Sequence, residues 1–211
     1  MRETGNAQAR PYHHGDLSRA LVEAARRILE AEGQSALSLR AVAREAGVSP
    51  AAPYHHFKDK CELIDAVAHQ GWSKLHEVIA KARADAASPE EALSNIGVAY
   101  VAFARANPAL YRVMYDGIRD QEAMPDHVKN GDSGYNEVEQ AIIEAGADAA
   151  DEMAVQLATV AAWCTAHGVA EMIGLKQFEP LKQALGGEDA LARALLGHIN
   201  AYRRVHRPHD A

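Results

Sequence analysis

Residues 38–57 read SLRAVAREAGVSPAAPYHHF, and the fold follows from how this stretch is punctuated. Ser38 is a good N-cap for a short helix whose Leu39, Val42, Ala43 and Ala46 fall on one face at helical spacing. Gly47 is the matching stop, because glycine enters the left-handed conformation that closes a helix without a steric penalty. Ser49-Pro50 opens a second short helix, predicted over 51–57, with Ser as cap and Pro at the first position. Pro53 falls at the fourth helical position and removes only the first intrahelical bond. Two capped helices around a glycine-centred turn of about four residues make either a helix-turn-helix or an ordinary helical hairpin. In a helix-turn-helix the exposed N-terminal half of the second helix enters the DNA major groove. Ala51 and Ala52 would let the backbone approach base edges and touch a thymine methyl, with Tyr54 and His55 supplying hydrogen-bonding tips. Spacing alone leaves both readings open.

Helix signals continue on either side. Upstream, Leu17, Leu21, Ala24, Ala25, Ile28 and Leu29 predict a helix from Gly15 to about Ala31, stopped by Gly33. Downstream, Asp59 with Glu62 three residues later forms a capping-box-like start to a long helix reaching about Ala84. Ser88-Pro89 and Asn107-Pro108 open two more in the same manner. Gly117 to Tyr135 is rich in Asp, Gly, Asn and Pro and reads as the longest irregular stretch. Helical patterns resume at Asn136–Ala145, Asp151–Leu175 and Glu188–Arg204. No alternating run is long enough for a strand. The expected fold is all-α, with about nine helices.

The chain has 211 residues, 48% of them hydrophobic and 24% charged, which suffices for a buried core and excludes an intrinsically disordered chain. Cys61 and Cys164 stand far apart, so neither a disulfide framework nor a zinc spacing can be built from them. Cys164 and His167 would supply only two metal ligands, too few for a site. The N-terminus, MRETGNAQAR, has no apolar core and no cleavage site, so a soluble cytoplasmic protein is expected. The net charge of −7 is uneven: residues 1–60 carry +2 and the rest −9. Any contact with a polyanion is therefore expected in the first 60 residues. There is no Gly-rich phosphate loop, no nucleophile in a known setting and no acid pair with an obvious partner, so no enzyme activity and no cofactor are expected.

Residues 13–68 as a whole resemble the N-terminal domain of TetR-type transcriptional regulators. The resemblance is carried by the start Tyr12–Asp16, the run S-L-R-A-V-A-x-E-A-G-V-S, the element Tyr54, His56 and Phe57, and Lys60 opening the next helix. Farther on, Trp163-Cys164-Thr165-Ala166-His167-Gly168 is similar to the W-x-x-x-H-G signature of one C-terminal subgroup. The sequence departs from the commonest pattern at Pro53, where Leu or Ile is usual. The resemblance implies a helix-turn-helix DNA-binding domain over 13–60, a helical ligand-binding and dimerisation domain over 61–205, and flexible tails at 1–12 and 206–211. It implies a homodimer at a palindromic double-stranded DNA operator in the bacterial nucleoid, acting as a repressor and released by a small-molecule effector. By resemblance, Tyr54 and Lys60 are phosphate contacts, while Ser49, Ala51, Ala52 and His55 face the groove. Ser38 and Arg40, in the first turn of their helix, are placed to meet a phosphate or a base edge.

In the second half, Trp72, Tyr100, Phe103, Tyr111, Met114, Tyr115, Trp163 and Met172 could line a cavity or be plain core. His167 lies one turn from Trp163 and could orient a polar ligand group. The helix predicted over Asp151–Leu175 has no charged residue between Glu152 and Glu171, so it must be buried on two sides. One face gathers Met153, Leu157, Val160, Cys164 and His167 and is expected to pack on its own subunit. The other is a ridge of Ala154, Ala158, Ala162, Ala166 and Ala170, expected to meet a second copy together with Ala194 and Ala201 of the last helix. The stretch is long enough for a membrane span but too weakly apolar, so no membrane is expected. The rival reading is a helical ligand-binding or adaptor protein without operator binding.

Overall fold

The structure is a computed structural model that describes the backbone of residues 14–119 and 133–205, and the side chains of 17–116 and 133–197. The expected tails, the Tyr12–His13 start, most of the irregular stretch and the side chain of Ala201 lie outside the described residues. Every regular element described is helical. The chain divides into two compact units, 1–67 and 68–211.

In the first unit, α1 (His14–Glu32) buries Leu21, Ala24, Ala25, Ile28 and Leu29. It packs on α2 (Leu39–Glu45), which contributes Leu39, Val42 and Ala43. Arg27 Nε on α1 donates to Glu45 Oε1 on α2 at 2.7 Å. Ser38 Oγ accepts the Ala41 N–H at 3.1 Å, satisfying one of the orphan donors of the first turn. At the other end Val48 N–H reaches the Ala43 carbonyl and Gly47 N–H the Arg44 carbonyl, with Gly47 at φ 69°. This pair of bonds around a left-handed glycine is the Schellman closure.

The helix predicted over 51–57 is instead a single 3-10 turn, Ala52–His55. Ala52 N–H bonds to Ser49 O, Tyr54 N–H to Ala51 O and His56 N–H to Pro53 O, each spanning three residues. The reason is Pro53. Its ring would clash with the carbonyl four residues back, Ser49, so that carbonyl takes the tighter Ala52 bond. Pro53 is buried, filling the place where an apolar side chain would pack on α2.

α3 (Lys60–Ala84) runs through the boundary between the units. The second unit continues with α4 (Pro89–Ala106), α5 (Pro108–Arg119), α6 (Gly134–Glu144), α7 (Glu152–Met172), α8 (Glu179–Leu185) and α9 (Glu188–Val205). Ser88 and Asp151 cap α4 and α7 through the Glu91 and Ala154 N–H groups. α8, only seven residues long, has no counterpart among the helices predicted from the sequence. α4 is central, packing against α5, α6, α7 and α9.

α7 corrects the sequence reading. Val155, Thr159, Ala166, Ala170 and Ile173 are buried inside the subunit, whereas Met153, Leu157 and Val160 are 65%, 63% and 47% exposed and Cys164 is exposed. The face expected to pack at home is thus outward except at His167, which bonds Tyr111, and the Ala ridge turns inward over its C-terminal half. Ala158 and Ala162 are half-buried; Ala154 and Ala194 are exposed. Small side chains let α4 and α6 close on α7 within one subunit. Among the described helices α7 also has the length and apolarity to cross a membrane; it packs on α4, α6 and α9 while its Met153, Leu157 and Val160 stay exposed.

Candidate nucleic-acid interface and ligand cavity

Ser38, Arg40, Ser49, Ala51, Tyr54 and His55 are exposed, and Ala52 is half-buried. Tyr54 is 54% exposed, high for a residue that so often packs. Phe57, Val42 and Leu39 are buried beneath this face, so the turn is held from behind while its tip stays free. Lys60 sits in the first turn of α3, where Asp59 Oδ1 accepts the Glu62 N–H and Glu62 Oε2 accepts the Lys58 N–H. The Lys60 ammonium donates to the Gln34 carbonyl at 3.0 Å. The surface therefore joins an exposed phenol, an imidazole, small residues and cations around a rigid turn, which suits backbone approach to DNA with polar tips for phosphates and base edges.

The second unit gathers Trp72, Tyr100, Tyr111, Tyr115, Trp163 and His167 into one cluster. Trp163 stacks on Trp72 of α3, ring centroids 6.4 Å apart at 26°, and meets Tyr100 edge-on at 5.2 Å. Trp72 meets Tyr115 edge-on at 5.2 Å. The polar tips form a hydrogen-bonded chain. Trp163 Nε1–H donates to Tyr115 Oη at 3.0 Å; Tyr115 and Tyr100 hydroxyls are bonded; Tyr100 and Tyr111 hydroxyls lie 2.9 Å apart; and Tyr111 Oη is 2.5 Å from His167 Nδ1. Burial pushes all three phenols above the ordinary tyrosine value, so each keeps its hydrogen. Indole can only donate, so Trp163 donates to Tyr115; the hydroxyls beyond it can each donate and accept, and the chain ends on His167 Nδ1.

Tyr115, one of the aromatics the sequence offered, is a central member, bonded to both Trp163 and Tyr100. Phe103 and Met114 are buried core, Met114 lying against the backbone of Gly71, and Met172 is half exposed, away from the cluster. Beside the cluster lies a cavity of about 60 Å³. Tyr100 and Trp163 are the two expected residues that line it; the rest of its wall, from Ile79, Ile96, Gly97, Val138 and Leu196 among others, escaped the sequence reading. Aromatics advertise a site, whereas aliphatic and glycine walls read as ordinary core. Near the cavity α3 is tied to α6 by Arg83, which donates to Glu137 at 2.7 Å and Glu144 at 2.6 Å. Those two bonds, that to Glu144 first, hold the guanidinium above its usual value.

Comparison with known proteins agrees with this division. Residues 21–67 match the family described as bacterial regulatory proteins, tetR family, and residues 93–199 match the tetracyclin repressor-like C-terminal domain. A solved structure of a Rhodococcus sp. RHA1 protein of unknown function is 31% identical, covering 89% of this chain and 100% of that one, with a TM-score of 0.65. The transcriptional regulator SCO7222, a TetR from Streptomyces coelicolor, is 18% identical over 90% of this chain and 99% of its own, with a TM-score of 0.63. The HTH-type transcriptional regulator BetI of Rhizobium meliloti is 38% identical over 76 residues, 36% of this chain. The chain spans only 37% of the length of that relative.

Proposed function

We propose that this chain, which belongs to the TetR family of bacterial transcriptional regulators, is a cytoplasmic repressor that holds a palindromic operator as a homodimer and releases it when a small molecule binds the second unit. In this reading residues 13–60 bind DNA, residues 61–205 bind the effector and dimerise, and the chain is a binding protein rather than an enzyme. The observation that carries it is the exposed tip Ala51, Tyr54 and His55 on a turn anchored by the Gly47 closure and a buried Phe57. Ser38, Arg40 and Lys60 are the flanking phosphate contacts, with Ser49 and Ala52 beside the groove.

Dimerisation is assigned to the outward stripe Met153, Leu157, Val160 and Cys164 of α7, with Leu195 of α9, which is 40% exposed. A line of large apolar side chains at helical spacing is the surface that a second copy would cover under two-fold symmetry. An effector can release DNA only by favouring a dimer whose two reading turns no longer match successive major grooves, about 34–36 Å apart.

The test is operator titration at several salt concentrations. Lys60→Ala should weaken binding about equally for all sequences and lower the salt slope by about 1, while His55→Ala should also alter base preference. Titrations unmoved by both substitutions would remove the turn from the interface.

A further inference from the structure

We infer that the cavity beside Trp163 takes a small, uncharged, largely apolar molecule, aromatic or aliphatic, without a carboxylate or ammonium group. The inference rests on the reading of the second unit as the effector-binding one, and adds the chemical class of the effector. Among the described residues no charged side chain lines the cavity, which draws its walls from α3, α4, α6, α7 and α9. Three lining residues carry a polar side-chain atom, and each such atom is engaged. Thr165 Oγ1 donates to the Ala161 carbonyl at 2.7 Å, Tyr100 Oη sits inside the hydroxyl chain, and Trp163 Nε1 donates to Tyr115. An ionised guest would leave water with no counter-charge to meet it, and a strongly polar one would have to break a bond already made. An apolar guest loses nothing of this kind and gains dispersion contacts with Ile, Leu, Val and Ala.

Size points the same way. At about 60 Å³ the cavity is smaller than the roughly 150 Å³ that accommodates benzene, so a ring-sized guest must move a wall. Leu196 is pressed against α4: a methyl at Gly97 would stand 2.8 Å from its Cδ1. Trp163 is the wall whose displacement is felt elsewhere. Moving it breaks the bond to Tyr115, leaves the hydroxyl chain without its first donor, and slides the ring stacked on Trp72 of α3.

Trp72 and Trp163 are the only tryptophans in the chain, so tryptophan fluorescence, excited to the red of tyrosine absorption, reads this junction. The test titrates the full-length protein with toluene and benzyl alcohol, and with the charged isosteres benzoate and benzylammonium. Toluene should give a saturable fluorescence change, and both charged compounds should bind at least 30-fold more weakly. Gly97→Ala, whose methyl drives Leu196 into the cavity, should weaken toluene at least tenfold with helical circular dichroism retained; Ala162→Leu, filling from α7, is the second variant should the first misfold. Benzoate or benzylammonium binding within threefold of toluene, no saturable response to any of the four, or unaltered toluene binding in a folded cavity-filling variant would each overturn the assignment. Operator binding is measured on the same protein. A toluene response without operator binding would sink the repressor reading and leave the ligand class standing, and operator binding with tight benzoate would do the reverse.

Discussion

In the first unit every proposed DNA contact falls between Ser38 and Lys60, and the structure around them is set by neighbours in sequence: a serine cap, a left-handed glycine and a proline. In the second unit the cluster is assembled at long range, Tyr111 and His167 meeting across 56 residues and Trp163 and Tyr115 across 48. The two therefore fail differently. A local motif loses one bond at a time, and each loss is worth a cap or a phosphate contact. A hydroxyl chain loses its satisfaction as a unit, because each member is hydrogen-bonded to the next.

The largest effect expected from this contrast is at Ala166. It is 6% exposed on the inward face of α7, so Ala166→Arg buries an unpaired charge in the long-range core, costing about 3–5 kcal/mol and abolishing a cooperative thermal transition. A folded Ala166→Arg protein with an unchanged melting curve would return the Ala ridge to the surface. Leu157→Arg, on the outward face of the same helix, should instead leave the fold intact. Sedimentation should show monomers, with operator affinity down at least 100-fold because each half-site is then held alone. A Leu157→Arg dimer would place the interface elsewhere.

Smaller effects probe the hydroxyl chain and the cap. Tyr115→Phe leaves the Trp163 N–H without its acceptor and the Tyr100 hydroxyl without that partner, at about 1–3 kcal/mol in urea unfolding. The pH dependence has a definite sign. The three phenols are held above the ordinary tyrosine value in the folded state, so their contribution is complete below that value and is lost as pH rises through and above it, where the unfolded chain ionises first. The wild-type melting temperature should fall steeply above about pH 10, and less steeply in Tyr115→Phe. Equal slopes would mean that the cluster is not the source of the alkaline sensitivity. Ser38→Ala, at the local end of the comparison, should cost only about 1 kcal/mol in the same unfolding experiment.

The same contrast explains what could be read without coordinates. Caps at Ser38 and Ser88 and the stop at Gly47 are local chemistry, and the structure has each where the sequence suggested. Pro53 was visible too, but its consequence, a 3-10 turn in place of a helix, depends on which carbonyl its ring meets. On α7 the periodicity set large apolar residues against alanines, but Met153, Leu157 and Val160 turn outward, Ala166, Ala170 and His167 turn inward, and Ala154 is exposed. Size alone suggested that Met153 and Leu157 go inside, whereas close helix packing selects the alanines. The partnership of Tyr115 with Trp163 and the aliphatic wall at Gly97 and Leu196 come from tertiary approach, which no spacing in the sequence encodes.

Selection from a random pool of duplex DNA with the purified full-length protein tests the central claim most directly. The account predicts enrichment of one inverted repeat, with half-site centres one helical turn or a small multiple apart, about 10–10.5 base pairs per turn. That enrichment should vanish when Tyr54 and His55 are both replaced by alanine. A pool that shows no enriched sequence, or an enriched sequence equally bound by the double variant, would contradict it.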